Sequence, residues 1–502
     1  MAAEPGSKIR VAELFAGVGG FRGGLEGWPD SDEETEFKVV WSNQWEPGEA
    51  KQWASKIYES RFGSEGHSND DIHDIAFNEG EMAETIRERV PEHDLLVGGF
   101  PCQDYSVART ISGELGIKGE KGKLWIPIRN IIRHKRPRPK VVLLENVPRL
   151  LNSPANARGL NFAIILNDLL RMSYHVEWRV INAAEYGMPQ KRKRVFILAY
   201  RNSNYGTPDI NGKPNFGCKK AGIRSTIQRW IIDGDQESSS PLSISFPCKG
   251  ELPKAAQFLP ELDQFGNAGS PFGNAGYAWK KKKHTMPDGT IIGDVNMFWT
   301  ANVEAVTDDE RKTLGDVLVD KHDPDYEITD EDKLRMYAYI KGEQKEWRIR
   351  KEDADKAREI EGDLWDLYQK CTRGYRTDWW AESRGDPRYL KGLEQGLIYD
   401  YTAGAMAYPD PLDKASRTVV TAEIGKSVSR MRHVIENPPR SGNHRGLMPL
   451  ELERLNMFPD NWTEYEGISD SRRGFLMGNA LVVGIIERLA GPLARLIRRR
   501  EE

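Results

Sequence analysis

Val11–Gly24 reads VAELFAGVGGFRGG, and the fold turns on how that stretch is taken. A short apolar run passes straight into a glycine-dense turn. Glycines at positions 17, 19 and 20 let a backbone approach a ligand closely, and a helix starting behind them offers free N–H groups. The pattern is strand, tight turn, helix. A dinucleotide fingerprint needs G-x-G-x-x-G, and its third position here is Arg22. No P-loop lysine follows either. The turn suits a cofactor without a pyrophosphate better than NAD.

Downstream the texture repeats. IRVAELFAG, FKVVWSN, DLLVGGF, VVLLENV, HVEWRVINA and RVFILAY are apolar runs too short for helices and bounded by Gly, Pro or charge. They alternate with polar helical stretches up to about Tyr200. The alternation predicts an α/β fold with a doubly wound, mostly parallel sheet. Beyond it the chain becomes more polar and turn-rich, and PFGNAGYAWKKKKH reads as a loop. Thr329–Asp332 is placed to cap a charged helix running toward Cys371, with Gly342 and Gly362 weakening any single long helix. The expected boundaries are a catalytic domain over 1–205, a large mixed inserted domain over 206–445, and a segment over 446–502 that returns to the first.

Composition narrows the class. A chain of 502 residues suits several domains, and no apolar run approaches the roughly 18 residues of a membrane span. The first residues show no apolar signal core, so a cytoplasmic protein is expected. The four cysteines form no C-x-x-C pair, so neither a zinc site nor a disulfide framework is indicated. The net charge of −4 gives no global attraction to nucleic acid, although local basic faces can supply one.

Three further stretches carry chemistry. In GGFPCQDYS, Gly98–Ser106, Cys102 follows a probable strand at the sheet edge where open α/β folds place ligands. A lone cysteine is usually inert and buried, but its polar flanks and Pro101 disfavour a core role. In VVLLENVPRLL, Glu145 and Asn146 end an apolar strand; a carboxylate there is costly unless paired or functional, and with a raised pKa it can donate a proton. In YGMPQKRKRVFIL, Arg192 and Arg194 alternate with lysines and share one face. Near the first turn, SNQWEP offers Gln44 and Glu46 to a ribose beside the apolar wall of Trp45, and NDDIHDI offers Asp71 and Ile72 to an adenine edge. Each of these reads equally well as an ordinary strand end or loop when taken alone.

Taken in order, LFAGVGGF, SNQW, DDI, GGFPCQDYS, ENV, QKRKR, RTVVT and GNALVVG resemble the DNA (cytosine-5) methyltransferases. The resemblance implies the class I methyltransferase, Rossmann-like fold with an inserted target-recognition domain, and S-adenosylmethionine as cofactor. It places Phe15, Gly17, Gly19, Gly20, Gln44, Trp45, Asp71, Ile72, Pro101, Asn479 and Ala480 around the cofactor. Cys102 is then the nucleophile toward cytosine C6, Glu145 holds N3 and the exocyclic amine, Arg194 grips O2, and Arg192 supports the catalytic loop. Gln103, Ser106, Asn146, Val147 and Gln190 are the expected contacts to base or duplex, and Arg417 organises the recognition domain. Gln44 stands where the family usually has an acid on the ribose hydroxyls. The expected partner is double-stranded DNA, bound by a monomer, with a cognate restriction endonuclease possible. Arg129–Lys140, Lys280–Lys283 and the Arg-rich C-terminus are candidate phosphate contacts. Alternatives are a tRNA cytosine-5 methyltransferase, a silent DNA-binding member of the fold, and a cysteine hydrolase, which lacks an evident histidine partner.

Overall fold

The computed structural model describes residues 7–32, 34–77, 81–100, 124–201, 223–233, 239–285, 290–320, 323–360, 362–374, 377–425, 427–436 and 443–498. The chain divides into two compact units: 1–312 with 453–468 and 479–502, and 313–452 with 469–478.

The first unit is built on strands β1 (Ile9–Leu14), β2 (Phe37–Asn43), β3 (His67–Ser68), β4 (Leu95–Gly99), β5 (Val141–Asn146), β6 (Tyr174–Asn182) and β7 (Lys193–Arg201). Their order across the sheet is β3-β2-β1-β4-β5-β7-β6. β1 to β5 pair in parallel, and β7 runs antiparallel to both β5 and β6. In β5 Val141–Leu144 are all fully buried, as a strand covered on both faces requires. Helices α1 (Gly20–Glu26), α2 (Trp53–Phe62), α3 (Ile72–Ala76), α4 (Met82–Arg89), α5 (Trp125–His134) and α6 (Leu160–Arg171) lie between the strands. α6 buries Phe162, Ile165, Leu166, Leu169 and Leu170, the spacing of one helical face. Each such side chain contributes about 1.5 to 3 kcal/mol relative to exposure.

All six apolar runs picked out in the sequence form strands. The loop expected at PFGNAGYAWKKKKH does not hold. After β8 (Cys248–Lys249) and β9 (Gln257–Phe258), Ala275–Thr285 is strand β10, antiparallel to β6 on one side and to β11 (Ile291–Ala301) on the other. Ala275 to Trp279 are buried, and Trp279 stacks on Trp299 with ring centroids 4.9 Å apart. The parallel sheet thus continues into an antiparallel extension of the same ten-stranded sheet. That pairing moves the expected boundary: the described residues of 223–312 fall in the first unit, and the second begins at Thr313.

In the second unit, Gln344–Ile349 pairs antiparallel with Ile398–Ala403. Trp347, Leu364, Trp380 and Tyr389 pack behind the ribbon into their own core. Asp330 caps helix Glu331–Lys341, accepting from the N–H groups of Asp332 (3.0 Å) and Lys333 (3.2 Å), and the helix stops at Gly342 as the sequence predicts.

Candidate active site at the carboxyl ends of the strands

The turn after β1 is wound left-handed at Phe15 (φ 54°), Gly17 (φ 56°) and Gly19 (φ 91°). A positive φ at a non-glycine residue is strained and needs support from its surroundings. Support comes from β2: Ala16 N–H donates to the Asn43 carbonyl at 3.0 Å, and Gly17 N–H donates to Gln44 Oε1 at 2.7 Å. Its two outer glycines serve different ends. A Cβ at Gly19 would lie 2.3 Å from the Phe62 ring, so glycine there permits packing. A Cβ at Gly17 would meet no atom within 4 Å, so that backbone lines open space, as a cofactor cradle requires. Gly20 opens α1 beneath Leu481 and Phe458, each 3.2 Å from a Cβ built on it, so packing accounts for it. Exposed Asn479 and half-buried Ala480 immediately precede Leu481 in the chain.

Around this opening stand half-buried Trp45, buried Ile72, and Asp71, whose Oδ1 accepts from His73 N–H at 2.9 Å and caps α3. Gln44 is 8% exposed, and its oxygen is already taken by Gly17. Its amide group is thus left to donate, the reverse of an acid at this position. Glu46 accepts from Ala54 N–H at the start of α2 (3.3 Å), so it acts as a helix cap.

Beneath the turn lies a buried network that the sequence reading does not include. Glu13 on β1 has no exposed surface and accepts from Tyr58 Oη at 2.9 Å. Burial pushes its carboxyl up to about 7, against the opposing influence of Tyr58 and Arg22. Arg22, the residue that breaks the dinucleotide fingerprint, pairs with Glu26 at 3.1 Å and lies over the rings of Phe62 and Tyr58. The one signal in the sequence is a charge inside an apolar strand; its partners are 9 to 45 positions away.

At the neighbouring strand ends, Glu145 faces Gly99 in register, and a Cβ on Gly99 would sit 3.1 Å from Glu145 Oε2. Arg194 and Glu145 form an ion pair, with Nε 2.8 Å from Oε1. Asn146 Nδ2 donates to the Phe100 carbonyl at 2.9 Å, and its Oδ1 accepts from Val147 N–H at 2.8 Å. These bonds clamp the two strand ends and account for Asn146 without a duplex contact. Arg192 is 1% exposed; burial, then the like charge of Arg194, pull its pKa down to about 9 against the pull of Glu145. Pro101, Cys102, Gln103 and Ser106 lie outside the described residues.

One expectation changes. Gln190 is fully buried, and its amide donates to Asn456 Oδ1 at 3.0 Å and the Leu455 carbonyl at 3.3 Å, so it anchors the returning segment instead of facing a duplex. In the second unit, Arg417 donates to Asp410 at 2.6 and 3.1 Å and to the Met431 and Arg432 carbonyls, so it ties that unit's own chain together, in line with the organising role expected of it.

Strand order, antiparallel β7 and an open glycine turn after β1 together define a class I methyltransferase. The family model for C-5 cytosine-specific DNA methylase matches residues 9–244 and 277–495, and the chain belongs to that family. It methylates C5 of cytosine in DNA. The chain is 35% identical over 491 residues to the Type II methyltransferase M.Sau3AI of Staphylococcus aureus, covering 98% of this chain and 96% of the relative. It is 32% identical to the Type II methyltransferase M.HhaI of Haemophilus parahaemolyticus over 46% of this chain and 58% of the relative. The S. pombe Dnmt2 methyltransferase superposes with a TM-score of 0.49 at 12% identity, over 98% of this chain and 99% of that one.

Proposed function

We propose that the protein transfers the methyl group of S-adenosylmethionine to a cytosine flipped out of a specific double-stranded DNA sequence, through an adduct between Cys102 and C6. The observation that carries this is the Glu145–Arg194 pair at 2.8 Å, set against Gly99 and linked through Asn146 to Phe100, two residues before Cys102. When bound, the cofactor supplies an electrophilic methyl group. Gly17 would leave it backbone room, Gln44 would donate to a ribose oxygen, and Trp45, Asp71 and Ile72 would frame the remainder.

C5 of cytosine is a poor nucleophile. The Cys102 thiolate adds to C6, pushing electron density onto C5 and N3, and Glu145 hydrogen-bonds or protonates N3 to stabilise the ring. C5 then takes the methyl group as the bond between that carbon and the cofactor's sulfur breaks, the electron pair leaving on sulfur as the neutral thioether departs. Loss of the C5 proton to a base expels the thiolate and restores aromaticity. Arg194 Nη2 carries no hydrogen bond among the described residues and is available to cytosine O2. Arg192, buried behind it, is a positioning residue. The base must leave the stack, which costs a few kcal/mol that duplex contacts return. The relatives' designation as Type II methyltransferases supports a cytoplasmic role beside a restriction endonuclease, with the enzyme acting as a monomer on DNA.

Bisulfite sequencing of DNA from expressing cells identifies the site. On a duplex with 5-fluorocytosine at that site, the parent forms a denaturant-stable adduct and Cys102→Ser forms none, with methyl transfer down on the order of a thousand-fold or more. Full-rate transfer by Cys102→Ser, or preference for tRNA over duplex DNA, removes the proposal.

A further inference from the structure

The basic run RNIIRHKRPRPK, Arg129–Lys140, does not reach the catalytic edge. α5 ends at His134, and the chain enters β5 at Val141, the end of the strand opposite Glu145 and Asn146. Six residues of strand put about 20 Å between the two edges. The two edges face opposite ways along the strand axis, so a straight duplex lying on one cannot lie on the other.

At this far edge, Arg87 from α4, Arg133 and His134 from α5, Arg136 and Arg138 from the linker, and Arg201 from the end of β7 gather. Arg87, Arg133 and Arg136 are exposed. Burial, then Arg133, Arg136, Arg87 and Arg138, lower the His134 pKa; burial, then Arg136, Arg201 and Arg133, lower that of Arg138. The groups therefore feel one another as like charges. Among the described residues none of the six forms an ion pair. Two acids at this edge are engaged elsewhere, Glu92 by Arg10 at 3.4 Å and Asp94 by Arg10 at 3.3 Å and Lys140 at 3.2 Å. Backbone carbonyls pin the guanidiniums in place: Arg136 Nη1 donates to Arg133 (2.6 Å) and Lys135 (2.7 Å), and Arg138 Nη1 to Met172 (3.1 Å). His134 is neutral at neutral pH, and in a chain of net charge −4 the five unpaired guanidiniums beside it make an anion-binding face.

We infer that this face is a second docking surface, which takes the sugar–phosphate backbone of a duplex DNA segment other than the one whose cytosine enters the catalytic edge. The inference rests on the DNA-methylating activity, because that substrate arrives as a long polymer with one phosphate per about 1.7 Å of axis. A distant stretch of the same molecule is then the phosphate source at hand.

The test uses the full chain with Arg87→Ala, Arg133→Ala and Arg136→Ala combined; all three side chains are exposed, and a thermal melt matching the parent confirms folding. Two duplexes carry a single target site, one about two helical turns long and one longer than the persistence length of about 150 bp. On the short duplex the triple variant retains parental kcat/KM. On the long duplex it binds roughly tenfold more weakly at low salt, and the slope of log K against log salt shrinks by about 3. The corresponding triple lysine variant restores most of that slope, since phosphate contact needs charge more than fork geometry. Unchanged binding to the long duplex overturns the inference, as does an equal loss on the short one, or displacement of the long duplex by tRNA but not by unrelated duplex DNA. Failure of the parent to methylate the short duplex strikes the proposed function instead, and the long-duplex binding comparison still decides the docking surface.

Discussion

Glu13 under the glycine turn and Asp410 in the second unit are both buried carboxyls, and they are shifted in opposite directions. Glu13 rises to about 7 because burial outweighs one tyrosine hydroxyl and a guanidinium that gives its Nε to Glu26. Burial pushes Asp410 upward too, yet it stands at about 2 because Arg417, His433 and Lys341 overcome that push. Lys341 Nζ is 2.8 Å from Asp410 with its side chain fully buried, and Val434 N–H adds a bond at 2.9 Å. Partner count decides the sign. A carboxyl with few partners can turn neutral inside the cofactor-binding unit, whereas one with two cations and an N–H remains an anion that organises the other unit.

The largest expected break of this contrast is Asp410→Ala. It leaves the Lys341 ammonium buried and uncompensated, and should destabilise the second unit by about 3 to 5 kcal/mol, read by chemical denaturation. Next is Gly19→Ala. Its Cβ would strike Phe62 at 2.3 Å in a left-handed backbone, for about 2 to 3 kcal/mol. Gly17→Ala, with the same sign of φ but open space, should cost about 1 to 2 kcal/mol in stability while weakening S-adenosylhomocysteine binding. Calorimetry on both variants separates the packing glycine from the access glycine.

The pH dependence sharpens the comparison. A carboxyl whose pKa is raised on folding binds more protons folded than unfolded, so its contribution falls as pH rises from about 4.5 to about 7. The gap in stability between the parent and Glu13→Gln should therefore move by about 2 to 3 kcal/mol against the parent across that window. Taking the difference cancels half-buried His67 and buried His93, whose lowered pKa values act in the opposite sense. Asp410, lowered to about 2, contributes fully above the usual carboxylate range and nothing variable in this window. The smallest expected effect is Gln44→Glu. It replaces the free amide donor by an acceptor for the ribose hydroxyls, and should tighten S-adenosylhomocysteine binding several-fold by calorimetry; unchanged affinity would mean that Gln44 serves the turn alone.

The strands were legible wherever burial on both faces left a continuous apolar run, as in VVLL of β5. β10 was not, because its lysines begin where the strand leaves its neighbour β6, and the buried half, AGYAW, is too short to stand out. The glycine turn and Glu145 were legible because turn chemistry and a charge ending an apolar run are local signals. Gln190 was misplaced because what buries it lies 265 to 266 positions downstream. The run Arg129–Lys140 showed its charge in the sequence, but not the end of the sheet on which that charge stands.

Trp462 Nε1 donates to the Val18 carbonyl at 2.8 Å across 444 positions, and Leu481 lies over Gly20. The glycine turn is therefore braced by residues more than four hundred positions downstream. A nascent chain holds an unfinished turn until those residues have left the ribosome, so this loop takes its final form well after its own synthesis.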